Sequence, residues 1–188
     1  FKHKTEDAIG LSLVGSDMFI RDSLDAIATF CPVNGDSLTD DLNDERLRRS
    51  LVMANHPFDW NTWSGLDATE LAQSINEGDV SVPEVMAQLA DAVSIQNPSL
   101  NAVIELFDDV IETPSTSGPN PDGPFYGVPI LIKDMGSRIA GRDQQIGLGF
   151  KKPEPSVDDD PLIENFRQAG FIVCGRTAVP EDGMTLIT

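Results

Sequence analysis

The spacing of apolar residues changes along the chain and marks out its elements. Leu71, Ala72 and Ile75 form one stripe, and Val85, Met86, Leu89, Ala90 and Val93 form a second. Recurrence three and four residues apart predicts two helices, each burying one face. Both open on a capping signal, Asp67-Ala-Thr-Glu70 and Ser81-Val-Pro-Glu84. In each, the first side chain accepts from the backbone three residues on while the glutamate reaches back. Gly78 predicts the end of the first helix and Asn97-Pro98 the end of the second. Met86 falls on the second stripe and reads as core filler.

Past residue 100 the pattern becomes strand-like. Asn101-Ala-Val-Ile-Glu-Leu-Phe107 has strand composition, and the Pro-, Ser- and Gly-rich stretch from Thr113 to Pro124 predicts an exposed loop without regular structure. The run Val128 to Ile132 then predicts a strand covered on both faces, with Pro129 marking its start or a sheet edge because proline cannot donate to a ladder. Leu162, Ile163, Phe166 and Ala169 share a helical face that Pro161 opens and Gly170 closes. The acids Asp158, Asp159 and Asp160 before it read as complements of the helix dipole, not as a metal site. Phe171-Ile-Val-Cys-Gly-Arg-Thr177 resumes as a buried strand. A strand, a helix and a strand in succession predict a βαβ crossover and an α/β fold with a mixed or parallel sheet covered by helices.

Residues 1–65 lack this clarity and read as a mostly helical N-terminal extension to a body at 66–188. A helix is predicted from Thr39 through Met53, with acids early and arginines late along its dipole. Trp60 and Trp63 are placed in a loop as packing anchors that pin the extension to the body.

Composition narrows the function classes. The 188 residues are 40% hydrophobic and 23% charged, enough for a sizeable core, and the net charge is -18. Such a chain repels phosphate backbones and anionic lipid, which disfavours nucleic acid as a direct partner; the charge reads as solubility or adaptation to salt. Cys31 and Cys174 have no metal-ligand spacing, and His3 and His56 are isolated enough to read as surface residues. No metal and no cofactor is implied. No apolar stretch reaches the length of a membrane span, and no signal-peptide pattern is present. A cytoplasmic compartment is slightly favoured, with export left open.

One residue stands out chemically. The other lysines are Lys2, Lys4, Lys151 and Lys152, whereas Lys133 ends the apolar run Gly127-Val-Pro-Ile-Leu-Ile-Lys133-Asp134. An ammonium carried into an apolar setting is costly unless paired or deprotonated. From the residues alone it can be a structural ion-pair partner, a Schiff-base nucleophile or a neutral amine acting as a base, the first being the most ordinary. Asp134 does not choose among them, since neighbours on a strand face opposite sides.

Gly123-Pro-Phe-Tyr-Gly-Val-Pro-Ile-Leu-Ile-Lys-Asp134 closely resembles the GPLxGVPxxxKD segment of the amidase-signature hydrolases. Leu66 to Gly78 looks like that family's opening helix, and Pro98-Ser-Leu-Asn-Ala-Val-Ile104 like its next strand. Asp160 to Gly170 and Gly175-Arg-Thr-Ala-Val-Pro-Glu181 resemble its later helix and its GKTNMPE segment. The resemblance covers residues 66 to 184. It implies an N-terminal portion of the amidase-signature fold and a Ser, cis-Ser, Lys triad in which Lys133 is the base. A lysine must be neutral to take a proton, so the role calls for an apolar, poorly solvated surrounding.

The glycine- and serine-rich segment that carries both serines in that family is expected beyond Thr188. Ser137 and Ser156 lack its context and read as loop residues. The expected partner is a C-terminal chain bearing the serines, left associated after natural or artificial cleavage, and the expected substrate is a small-molecule amide. Met135 and Met184 are candidates to line the acyl pocket. Residues 1–65 could cover the body or mediate a homo-oligomer. Arg176-Thr-Ala178 departs from the usual Lys-Thr-Asn, and Gln144 to Gly147 from a Thr-rich stretch. A tRNA-dependent amidotransferase subunit belongs to the same family, though the acidity disfavours direct RNA contact. The competing reading is a non-catalytic acidic scaffold derived from it.

Overall fold

The capping signals are met atom by atom. Residues 52–150, 152 and 154–184 are described by a computed structural model. In chain order they form α1 (Trp60–Gly65), α2 (Ala68–Glu77), α3 (Val82–Leu100), β1 (Val103–Leu106), α4 (Asp108–Glu112), a 3-10 turn (Pro114–Ser117), β2 (Pro129–Lys133), α5 (Pro161–Gln168), β3 (Ile172–Thr177) and a last 3-10 turn (Glu181–Gly183). Asp67 accepts from the Glu70 amide at 2.9 Å while the Glu70 carboxylate accepts from the Asp67 amide at 3.0 Å. Ser81 and Glu84 repeat that reciprocity at the head of α3. Gly78 ends α2 in the left-handed conformation, as expected.

Four local expectations are corrected. Trp60 and Trp63 lie in a short helix and not in a loop, because the Asp59 carboxylate accepts from the Thr62 amide at 2.9 Å and caps it. That bond holds the Asp59 carboxyl below its ordinary range. Helix α3 runs through Pro98 to Leu100 instead of stopping at Asn97. Pro98 falls in the last turn, where the Asn101 amide bonds to the Asn97 carbonyl at 2.7 Å and the Asn97 side chain accepts from Ala102 and Val103. The stretch from Thr113 contains a 3-10 turn and buries Ser117. His56 is partly buried, its Nε2 2.8 Å from the Asp91 carboxylate, and is not a free surface residue. The predicted helix from Thr39, and with it Cys31 and His3, lies outside the described residues except for its helical end at Val52–Met53.

The sheet has the order β1-β3-β2, with β1 antiparallel and β2 parallel to β3. This is the mixed sheet with a β2-α5-β3 crossover that the pattern predicts. Pro129 opens β2, and β2 lies at the edge of the sheet formed by the described residues, in keeping with both meanings of that proline. The expectation of cover on both faces is not met among the described residues: β2 is only half buried over most of its length.

Helix α3 lays Met86, Leu89 and Val93 against Leu106, Phe107, Ile132, Ile163 and Ile172–Cys174 of the sheet and its flanks. A second cluster joins Leu71 and Ala72 of α2 to Val80, Val85 and Val128. A third sets Met53 against Ala92 and Ile95, and Trp63 packs at the edge of all three. Trp63 is therefore a packing anchor shared by the three clusters.

The segment entering β2 is held by backbone contact that only glycine permits. A Cβ on Gly123 would lie 2.4 Å from the Ala169 carbonyl carbon, and one on Gly170, at φ +96°, would lie 2.5 Å from the Tyr126 nitrogen. Phe125 stacks on Phe171 at 4.7 Å beside this contact. Farther along, the Ser117 hydroxyl donates to the Val173 carbonyl at 3.2 Å and accepts from the Val173 amide at 2.9 Å and from Arg167 at 2.9 Å. Replacing Ser117 by alanine strands a buried amide and is expected to cost about 1–3 kcal/mol. Urea unfolding of the Ser117→Ala protein measures it, and an unchanged midpoint contradicts the role.

Candidate active site at the carboxyl end of the parallel pair

Strands β2 and β3 run side by side and finish together, with Lys133 paired to Thr177. One residue further the Asp134 amide donates to the Thr177 carbonyl at 3.0 Å, so the ladder extends past the last named strand residue. Alternation then separates the neighbours: Lys133 is exposed while Asp134 is buried. The exposure of Lys133 differs from the apolar, poorly solvated surrounding expected of it. The reason is its place at the tip of an edge strand.

Below the lysine the site is tightly built. The Asp134 carboxylate accepts from the Gln145 amide at 3.1 Å and the Gly147 amide at 3.4 Å, which closes the loop that follows β2. Arg176, on β3 opposite Ile132, is 1% exposed. Its Nη1 donates to the carbonyls of Ser137 at 2.8 Å and Lys133 at 3.3 Å, and its Nη2 to that of Asp143 at 3.4 Å. Burial pulls the guanidinium pKa below its ordinary value, opposed by the charges of Asp134, Glu105 and Asp143. Burial likewise raises the carboxyl of Glu105, on neighbouring β1, against the pull of Arg142 and Arg176.

The loops after the two strands meet. The Asp182 amide bonds to the Ile146 carbonyl at 3.0 Å. Gly147, at φ +70°, brings its backbone so close to Val179 and Pro180 that a Cβ would sit 2.7 Å from the Val179 oxygen. A Cβ on Gly183 would lie 2.6 Å from the Met135 sulfur. Met135 and Met184 are thus at the same end of the sheet as Lys133, and both are exposed, at 40% and 79%.

Other candidate groups are engaged elsewhere. The Cys174 thiol is fully buried in β3 and pushed up to about 12 by desolvation, so it is no nucleophile. Ser137 offers its carbonyl to Arg176 and to Gln144, and Ser156 bridges to Ala140 and bonds the Arg142 carbonyl at 3.0 Å. Two of the aspartates before α5 carry ion pairs that the helix-dipole reading did not include. Asp160 makes no capping bond; it pairs with Arg138 at 2.8 Å, and the Arg138 backbone amide and side chain hold its carboxyl below the ordinary range. Asp159 pairs with Arg167 at 2.7 Å and takes the Ala140 amide at 2.7 Å.

Sequence reasoning assigned no role to Arg176 beyond noting a departure from a familiar segment. A single charged residue inside a strand otherwise destined for burial was the available signal.

The model of the family described as Amidase matches residues 84–188. A lipoamidase of Enterococcus faecalis is 28% identical over 145 residues, which are 77% of this chain and 20% of that protein. The 6-aminohexanoate-cyclic-dimer hydrolase of Paenarthrobacter ureafaciens is 32% identical over 125 residues, 65% of this chain and 24% of that one. A solved structure of 6-aminohexanoate cyclic dimer hydrolase superposes with a TM-score of 0.58 at 29% identity, covering 65% of this chain and 25% of that chain. The chain therefore spans about a fifth to a quarter of the length of the curated relatives it matches.

Proposed function

Because the chain belongs to the amidase family, whose model matches more than half of it, we propose that residues 66–188 are the N-terminal portion of an amide hydrolase in which Lys133 is the catalytic base. Residues 1–65 form an extension to it. The two serines of the triad lie outside this chain, on the remainder of the enzyme or on a companion chain associated with it. The substrate is a small-molecule carboxamide.

The observation that supports this reading is the exposed amine at the carboxyl end of a parallel strand, Lys133 beside Thr177. In open α/β sheets, ligands bind in the crevice outside those ends. The exposed lysine is then the tip that the rest of the enzyme covers, which removes water from around it. As a neutral amine, Lys133 takes the proton of the bridging serine, which takes that of the nucleophilic serine as its oxygen attacks the amide carbon. The tetrahedral intermediate collapses, and the leaving amine departs with the returned proton. Water then repeats the sequence on the acyl-enzyme, releasing the acid and restoring the serine. Met135 and Met184, exposed on the two loops that follow the strands, line the acyl side as deformable apolar surface.

Incubating the complete enzyme with a sulfonyl fluoride tests the division of labour. Loss of amide hydrolysis should track stoichiometric labelling of one serine outside residues 1–188, read by peptide mass spectrometry. Labelling of a serine within this chain instead, Ser137 or Ser156 included, would sink the assignment.

A further inference from the structure

We infer that Arg176 is a positioning residue for Lys133, acting through the backbone of the loop that the lysine begins; this rests on the base role proposed for Lys133. Both sides of the Lys133–Asp134 peptide are held. Its N–H is bound by the Thr177 carbonyl at 3.0 Å, and its carbonyl oxygen accepts from Arg176 Nη1 at 3.3 Å. A peptide plane fixed at both ends fixes the backbone from which the lysine side chain leaves. The same guanidinium gathers the Ser137 and Asp143 carbonyls, at 2.8 and 3.4 Å. It therefore ties three points of the stretch from Lys133 to Asp143 to β3.

Stability does not account for this arrangement. Arg176 is 1% exposed, its hydrogen-bond acceptors are neutral carbonyls, its Nε has no acceptor among the described residues, and the charges of Asp134, Glu105 and Asp143 only partly offset the effect of burial on its guanidinium. Burying a guanidinium on such terms contributes little or is unfavourable, and an apolar side chain of similar volume serves the fold as well or better. What methionine cannot supply is a planar fork with several donors aimed at separate carbonyls. Lysine, which the resembling segment commonly carries here, supplies charge and rotatable donors from one point.

The test uses the complete enzyme with Arg176→Met and Arg176→Lys, alone and combined with Lys133→Ala. For an aryl amide, Arg176→Met should lower kcat about 10²-fold with KM little changed, the scale expected when a reacting group is misplaced by about an ångström. Arg176→Lys should recover a large part of that loss. In the Lys133→Ala background, Arg176→Met should cost nothing more, since the group it positions is gone. Independently of turnover, competitive acetylation with Lys151 and Lys152 as internal references should show a changed reactivity of Lys133 in Arg176→Met. Equal losses in both backgrounds, a rise in KM with kcat intact, or unchanged labelling of Lys133 would overturn the inference. If Lys133→Ala alone hydrolyses at full rate, it is the base assignment that fails, and the labelling result still decides whether Arg176 orients the lysine.

Discussion

Replacing Lys133 by alanine in the complete enzyme is expected to reduce kcat for an aryl amide by on the order of 10²–10⁴-fold, the range of a positioned general base. The fold should be spared. Lys133 is exposed at the tip of an edge strand, and its backbone, not its side chain, carries the bonds to Arg176 and to the β3 ladder. A substitution there is expected to change stability by no more than about 0.5 kcal/mol. Lys133→Arg separates charge from proton transfer, because a guanidinium cannot give up its proton near neutrality and so cannot act as base. Arginine should be as inactive as alanine, which steady-state kinetics with matched thermal melts will read. Full hydrolysis by Lys133→Ala would end the assignment.

Phe107→Ala is expected to cause the largest loss of stability, about 3–5 kcal/mol. Phe107 is 1% exposed and belongs to the main core between α3 and the sheet. Its amide donates to the Cys174 carbonyl at 2.9 Å, so the ring is held over the centre of β3. The guanidinium of Arg142 lies 4.1 Å from the ring centroid while forming paired bonds to Asp109 at 2.6 and 2.7 Å. Truncation therefore opens a cavity and removes a cation–π platform worth about 0.5–1 kcal/mol at a partly exposed site. Against a typical stability of about 5–15 kcal/mol, this is a large fraction. Urea denaturation reads it as a shift of midpoint at unchanged slope. A loss below about 1 kcal/mol would show that the ring does not bear on the core, and Phe107→Leu, which refills part of the volume, should lie between.

The parts legible in the sequence were those written in local chemistry. Asp67-Ala-Thr-Glu70 and Ser81-Val-Pro-Glu84 place helix starts because each box is satisfied by atoms within four residues. Gly78 and Gly170 take the left-handed conformations that end their helices. Pro129 marks where β2 begins, because a residue without an N–H cannot donate to the ladder. The less legible parts depend on partners far along the chain. Ser117 is buried by Val173 and Arg167, both about fifty residues away, so its segment read as an exposed loop. Asp159 and Asp160 stand before a helix where a dipole role was the natural reading, yet their carboxylates are claimed by Arg167 and Arg138. Pro98 was read as a stop because propensity counts the lost bond. It cannot count the Asn97 side chain that secures the turn.

By itself the sequence determined α2, α3 and α5, the three strands, the crossover and Lys133 as the residue to explain, because periodicity, caps and apolar runs are set by neighbours a few residues apart. The tertiary structure decided which strand lies at the edge, and hence that Lys133 is exposed while Asp134 beside it is buried. It also decided that Arg176 donates to three backbone carbonyls, those of Lys133, Ser137 and Asp143. Those outcomes rest on burial and on contacts between β3 and a loop more than thirty residues earlier. No local pattern encodes where a side chain finds its acceptors across that distance.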